Sequence, residues 1–114
     1  MTQSAQVYRI TGPATDGELK TEKMSSYYKS GSISVVFKDS AGNVVTPGAG
    51  TITFSGSETD EQYGEIGQID ATTAGEPSTY TRITFGGLVR YVKATLSGVT
   101  GADSVEVRVA RYIS

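Results

Sequence analysis

The sequence contains no cysteine, no histidine and no tryptophan. Without cysteine there are no disulfides and no thiolate metal site, and the redox compartment is left open. Without histidine the commonest general base and the commonest transition-metal ligand are both missing. An enzyme built from this chain would need paired carboxylates, a lysine nucleophile or an oxygen-liganded metal. No apolar run exceeds four residues, far short of a membrane span. No charged segment followed by an apolar stretch succeeds Met1, so no secretory signal is expected. Ten basic and twelve acidic residues give a formal charge of −2 at pH 7, spread along the chain. That distribution lacks the cationic stripe that nucleic-acid binding demands.

What is present points to strands. Glycine, serine, threonine, valine and tyrosine dominate, and the 14 glycines of the 114 residues fall about every eight positions, the rhythm of short strands and tight turns. In Ser32 to Val45, Ile33, Val35 and Phe37 share one parity while Ser32, Ser34 and Lys38 take the other, as a half-buried strand requires. Asp39-Ser40-Ala41-Gly42 reads as a hairpin loop, and Val44-Val45 begins a return that Pro47-Gly48 stops. Thr51 to Ser55 follows with Ile52 and Phe54 on one face. Residues Gly56 to Tyr63 form an acidic loop, Ile66 and Ile69 mark a short, poorly defined strand, and Ala71 to Ser78 is a loop. Thr79 to Phe85 is a strand broken by Gly86-Gly87. Leu88 to Ser97 places Leu88, Val92, Ala94 and Leu96 together, with Arg90 reaching solvent near the end. After a turn at Val99 to Asp103, Val105, Val107 and Val109 alternate with Glu106, Arg108 and Ala110 as far as Tyr112. No window carries a helical stripe.

Short strands with one apolar face each bury those faces between two sheets, so the expected fold is all-β, a single small β-sandwich of jelly-roll or immunoglobulin-like type. Residues 25–114 are assigned to the sandwich. Residues 1–24 differ in kind: only Val7 to Ile10 shows a strand signal, cut by Gly12-Pro13, and Ala14 to Lys23 has no apolar face. This segment is expected to be an N-terminal arm that contributes to binding more than to folding, with a strand-and-turn at the sandwich edge as the alternative.

Candidate chemistry is sparse. Glu58, Asp60, Glu61 and Glu65 are the one concentration of carboxylates, without the ligand order of a calcium loop. They read as a solvated loop rather than a metal site or a glycosidase pair. The glycines of Pro47 to Gly50 lack the Gly-Lys-Ser/Thr of a phosphate loop. Lys38, Lys93, Arg82, Arg90, Arg108 and Arg111 read as solvated strand faces. Tyr27 and Tyr28, adjacent and so facing opposite sides of a strand, are candidate interface residues together with Val7, Tyr8 and Ile10. No catalytic residue, metal ligand or cofactor site is assigned.

The run Phe85-Gly86-Gly87-Leu88-Val89-Arg90-Tyr91-Val92-Lys93-Ala94-Thr95-Leu96-Ser97-Gly98-Val99, followed by Gly101-Ala102-Asp103 and the valine strand, resembles the C-terminal half of small structural proteins of tailed bacteriophages. The likeness is to head-decoration or cement proteins of short-tailed phages and extends over Ser30 to Ile113. It implies a jelly-roll-like domain on the capsid surface, made in the host cytoplasm, that binds the major capsid protein and bridges neighbouring subunits. Such proteins are often dimers or trimers. The edge strands of a sandwich invite pairing with another chain, which leads to the expectation of a homo-oligomer, a dimer slightly ahead of a trimer. No membrane or nucleic-acid partner is expected. The alternative is a carbohydrate- or receptor-binding β-sandwich of a phage tail, and an enzyme is the weakest option.

Overall fold

The structure, a computed structural model, describes residues 5–25, 29–74, 82–86 and 89–112. The strands are β1 (Ala5–Pro13), β2 (Gly17–Lys20), β3 (Ser30–Lys38), β4 (Val44–Val45), β5 (Ala49–Ser57), β6 (Gly64–Asp70), β7 (Arg82–Gly86), β8 (Tyr91–Thr100) and β9 (Ser104–Tyr112). One turn of 3₁₀ helix, Ala71–Thr73, follows β6. No helix among the described residues is long and apolar enough to cross a membrane.

Two antiparallel sheets form the sandwich. The first runs β1-β9-β3, with β7 and β4 placed end to end along the far edge of β3; the second runs β2-β8-β5-β6. The pairing is nested: β1 with β9, β2 with β8, β3 with β7, β5 with β6. A long antiparallel ribbon folded over on itself generates this order, which is the connectivity of a jelly roll. Side-chain alternation then sends one row from each strand inward. Ile33, Val35 and Phe37 of β3 and Val105, Val107 and Val109 of β9 meet Ile52 and Phe54 of β5 and Val92, Ala94 and Leu96 of β8 in one buried core.

Local chemistry fixes the turns. Asp39 accepts hydrogen bonds from the backbone N–H groups of Ala41 and Asn43, each at 2.9 Å, and Gly42 takes φ +88°. Such a carboxylate mimics a backbone turn, and glycine reaches positive φ without a Cβ clash. Asp70 caps the 3₁₀ turn, accepting from Thr72 N at 3.0 Å.

The strand at Ile66 and Ile69 is longer and better paired than the sequence suggests. Two residues three apart in a regular strand point to opposite faces. The β5–β6 register shifts between Phe54 and Ser55, pairing Phe54 with Gly67 but Ser55 with Glu65, so Ile66 is an extra residue. That bulge lets both isoleucines turn to the core: Ile69 is buried and Ile66 packs against it.

Two expectations are corrected. First, of the two readings of the N-terminal segment the structure has the strand-and-turn at the sandwich edge and not the arm. Each residue of β1 pairs with β9, from Ala5 with Tyr112 to Pro13 with Ser104. β2 pairs with β8, and Thr21 extends that pairing through Thr21 N to Val92 O (2.9 Å) and Val92 N to Thr21 Oγ1 (3.0 Å). Ala14, Thr21 and Met24 are buried, so the sandwich is not bounded at residue 25. Backbone pairing supplies what the segment's few apolar side chains do not.

Second, Arg111 is not solvated: it is 0% exposed. It follows Val105, Val107 and Val109 in parity, and β9 is held on both sides there, by Gln6 of β1 and Gly31 of β3. The guanidinium is accommodated by donating to Ser30 O at 3.0 Å and to Val89 O, and it lies over the Phe85 ring, 5.1 Å from the centroid. Gly31 leaves room for that ring, which a Cβ there would meet at 2.6 Å. Burial pushes the guanidinium below its usual pKa. Tyr27, Tyr28 and the start of the expected strand at Thr79 lie outside the described residues.

Replacing Arg111 by Ala strands two carbonyl acceptors. Each buried unsatisfied acceptor costs about 1–3 kcal/mol, so urea denaturation should show a loss of roughly 3 kcal/mol. A loss within about 0.5 kcal/mol, typical of surface sites, would refute the clamp. Deleting residues 2–13 removes one neighbour of β9 along its length and should abolish the cooperative thermal transition in circular dichroism. A truncated chain melting within a few degrees of the full one would restore the arm.

Candidate interaction surfaces

Alternation along β1 separates the interface residues expected there. Val7 lies on the outer face of the first sheet, 43% exposed, while Tyr8 and Ile10 face inward, half-buried against the core. Tyr8 Oη accepts from Ser25 N at 3.2 Å, tying β1 to the chain after β2. The sandwich is closed on its opposite side, where Ile83 of β7 packs over Gly67 of β6. On the β1 side a polar groove runs between the sheets, made of two adjoining hollows of about 310 and 570 Å³ that share Gln6, Tyr8 and Glu22. Lys23 and Arg90 line the larger hollow and Arg9 the smaller.

The acidic β5–β6 loop divides. Glu58, Glu61 and Glu65 are exposed, whereas Asp60 is anchored. It takes φ +68°, a conformation disfavoured for a residue with a Cβ, and its N–H donates to Ser57 Oγ at 2.9 Å. Its carboxylate accepts from Tyr63 Oη and pairs with Lys20 Nζ at 2.9 Å; these two contacts hold its pKa below the usual range. Tyr63 is raised above the ordinary phenol value, first by burial and then by Asp60. Lys93 sits 4.3 Å from the Tyr63 ring centroid and 3.6 Å from Glu18. The loop is therefore latched onto the outer face of the second sheet. Among the described residues no acidic side chains converge as a metal site would require.

The outer face of the first sheet holds a cluster that sequence reasoning missed. Glu106 of β9 lies 3.3 Å from Arg9 Nε and 3.1 Å from Arg108 Nη2. Arg108, Lys38 and Arg9 all draw its pKa down, Arg108 most through its hydrogen bond. Tyr112 and Ser32 share a hydroxyl–hydroxyl contact of 3.3 Å on the same face. The sequence signal was parity alone, because Arg9 and Arg108 come from opposite ends of the chain and meet only through the β1–β9 register.

Solved structures with this fold include a chain from the capsid of Helicobacter pylori bacteriophage KHP30, at 13% identity and a TM-score of 0.59, covering 100% of this chain and 92% of that one. A chain of the baseplate tripod of bacteriophage Tuc2009 matches at 10% identity and a TM-score of 0.55, covering 97% and 89%. The CBM32 of AlyQ, solved with 4,5-unsaturated mannuronic acid, matches at 10% identity and a TM-score of 0.56, covering 93% and 78%. At these identities the likeness is one of fold. No curated protein matches the sequence. One family does match, across residues 6–114, and the chain belongs to it: Domain of unknown function (DUF7265).

Proposed function

We propose that this chain is a structural protein of a phage virion, a decoration or cement protein that binds the outside of the head and bridges neighbouring major capsid subunits. The observation that carries this reading is the fold, which is shared with a chain of a phage capsid. Asp39, Asp60, Asp70 and Glu106 all have lowered pKa values, and each shift comes first from a structural hydrogen bond: Asn43 N–H, Tyr63 Oη, Thr72 N–H and Arg108 respectively. A general acid needs the opposite shift. With no histidine or cysteine to supply other chemistry, the side chains serve turns, caps and cross-strand ties. That use of side chains favours a binding role.

The fold shared with a phage capsid chain and a phage baseplate chain supports a virion role. Among the described residues β1, β2 and β6 lie at sheet edges, and such edges invite pairing with another chain, so a homo-oligomer is proposed, a dimer ahead of a trimer. A second reading is favoured by the polar groove beside Tyr8. Its Gln6, Glu22, Lys23 and Arg90 suit hydroxyl and carboxylate recognition, and a carbohydrate-binding module shares the fold. In that reading the chain is a glycan- or receptor-binding module of the tail.

Purified phage shells should carry the protein down on sedimentation, saturating at a fixed ratio to the major capsid protein, while a glycan array stays blank. Glycan binding without shell binding would reverse the order of the two readings. Depressed carboxylate pKa values favour the folded state above the unfolded values and lose that contribution as pH falls through the folded ones. Stability should therefore be flat from about pH 8 to pH 5.5 and drop below about pH 4. A steep change between pH 6 and 7 in the melting temperature, measured by calorimetry, would contradict this assignment of the carboxylates.

A further inference from the structure

The outer face of the first sheet carries its charges in an order that a merely solvated sheet does not favour. Arg9 and Arg108 stand directly opposite each other across the β1–β9 ladder. Like charges so placed are destabilising. Glu106 lies between them and Lys38 adds to the positive surroundings. The single carboxylate is underneath: the Glu106 side chain is 13% exposed, against 60% for Arg9 and 39% for Arg108. An approaching molecule meets cations first. Arg108 Nε is buried beneath the face and has no acceptor among the described residues, so the exposed part of the guanidinium is what a partner would meet.

The surroundings are partly apolar. Ala110, Ser32 and Thr84 continue the row that begins with Val7, and Val36 lies beside Glu106. Arginine and tyrosine, which this face presents at Arg9, Arg108 and Tyr112, are residue types enriched at interface centres.

We propose that this face, centred on Arg9, Arg108 and Lys38, docks a carboxylate-rich protein surface. The identity of that partner as the shell protein rests on the proposed function above, whereas its chemistry rests on the face alone. Two copies of the face repel each other, so it does not form a two-fold contact with itself. Among the described side chains three cations group round one carboxylate, a patch shorter than the basic track a phosphate backbone calls for.

The full chain, labelled with ¹⁵N, is titrated with poly-L-glutamate. Amide shifts should concentrate in Val7 to Thr11, Ser34 to Lys38 and Glu106 to Tyr112. The R9Q/K38Q variant, first checked for an unchanged melting curve, should bind roughly tenfold more weakly. The same variant should lose about tenfold in shell affinity, while E58Q/E61Q/E65Q does not. Shifts elsewhere, or none, would overturn the proposal. So would a single-stranded oligonucleotide that moves the same amides at lower concentration than poly-L-glutamate. Salt-sensitive self-association abolished by both variants would make a second copy the occupant and overturn it likewise. Shells bound equally by wild type and R9Q/K38Q would refute this face as the docking site and leave the shell-binding reading intact. Shells that bind neither, with poly-L-glutamate shifts confined to the face, would refute the shell reading and support the docking chemistry.

Discussion

β9 is paired along its length on both sides, with β1 and with β3, and the rest of the sandwich depends on that register. A strand locked by two neighbours cannot slip by one residue without moving every side chain to the opposite face. Val105, Val107 and Val109 therefore fix which side of the first sheet is core. The same register carries Arg111 inward after them and sends Glu106, Arg108, Ala110 and Tyr112 outward. Core and docking face are thus two readings of one alternation. β1 earns its place through this strand as well, because an edge strand needs few buried side chains when its backbone is fully paired on one side.

How much of this was legible in the sequence follows from the same physics. β3, β8 and β9 alternate over most of their length, and Ile33, Val35, Phe37, Val92, Leu96, Val105, Val107 and Val109 identify the core without any knowledge of partners. β6 was faint because a bulge interrupts its period, so the spacing of Ile66 and Ile69 fits neither template. Arg111 was misread because residue type was weighed above parity; on a doubly paired strand, parity prevails if backbone carbonyls such as Ser30 O and Val89 O receive the guanidinium. The N-terminal segment was misjudged by its apolar content, a measure of what side chains bury and not of what a ladder holds. Of the interface residues expected at the start, Val7 lies on an outer face while Tyr8 and Ile10 turn inward. The basic cluster was illegible for a different reason: its members are distant in the chain, and only the β1–β9 pairing brings them together.

A binding domain gains affinity when its surface is already ordered before the partner arrives. Asp39, Asp70 and the Asp60–Lys20–Tyr63 latch remove freedom from the loops at little structural expense, since each uses a charge that stays ionised at neutral pH. The first sheet's outer face is ordered too, by the ties from Glu106 to Arg9 and Arg108. Glu106 offers one carboxylate to Arg9 and Arg108, which are direct cross-strand partners of like charge, and Lys38 adds to the positive surroundings. Carboxylates from another surface would offset that charge further, so the interaction is stronger in the complex than in the free protein. Only such a difference between free and bound states can drive docking. It also makes the contact sensitive to salt, because the same cations can be satisfied by counter-ions when no partner is present.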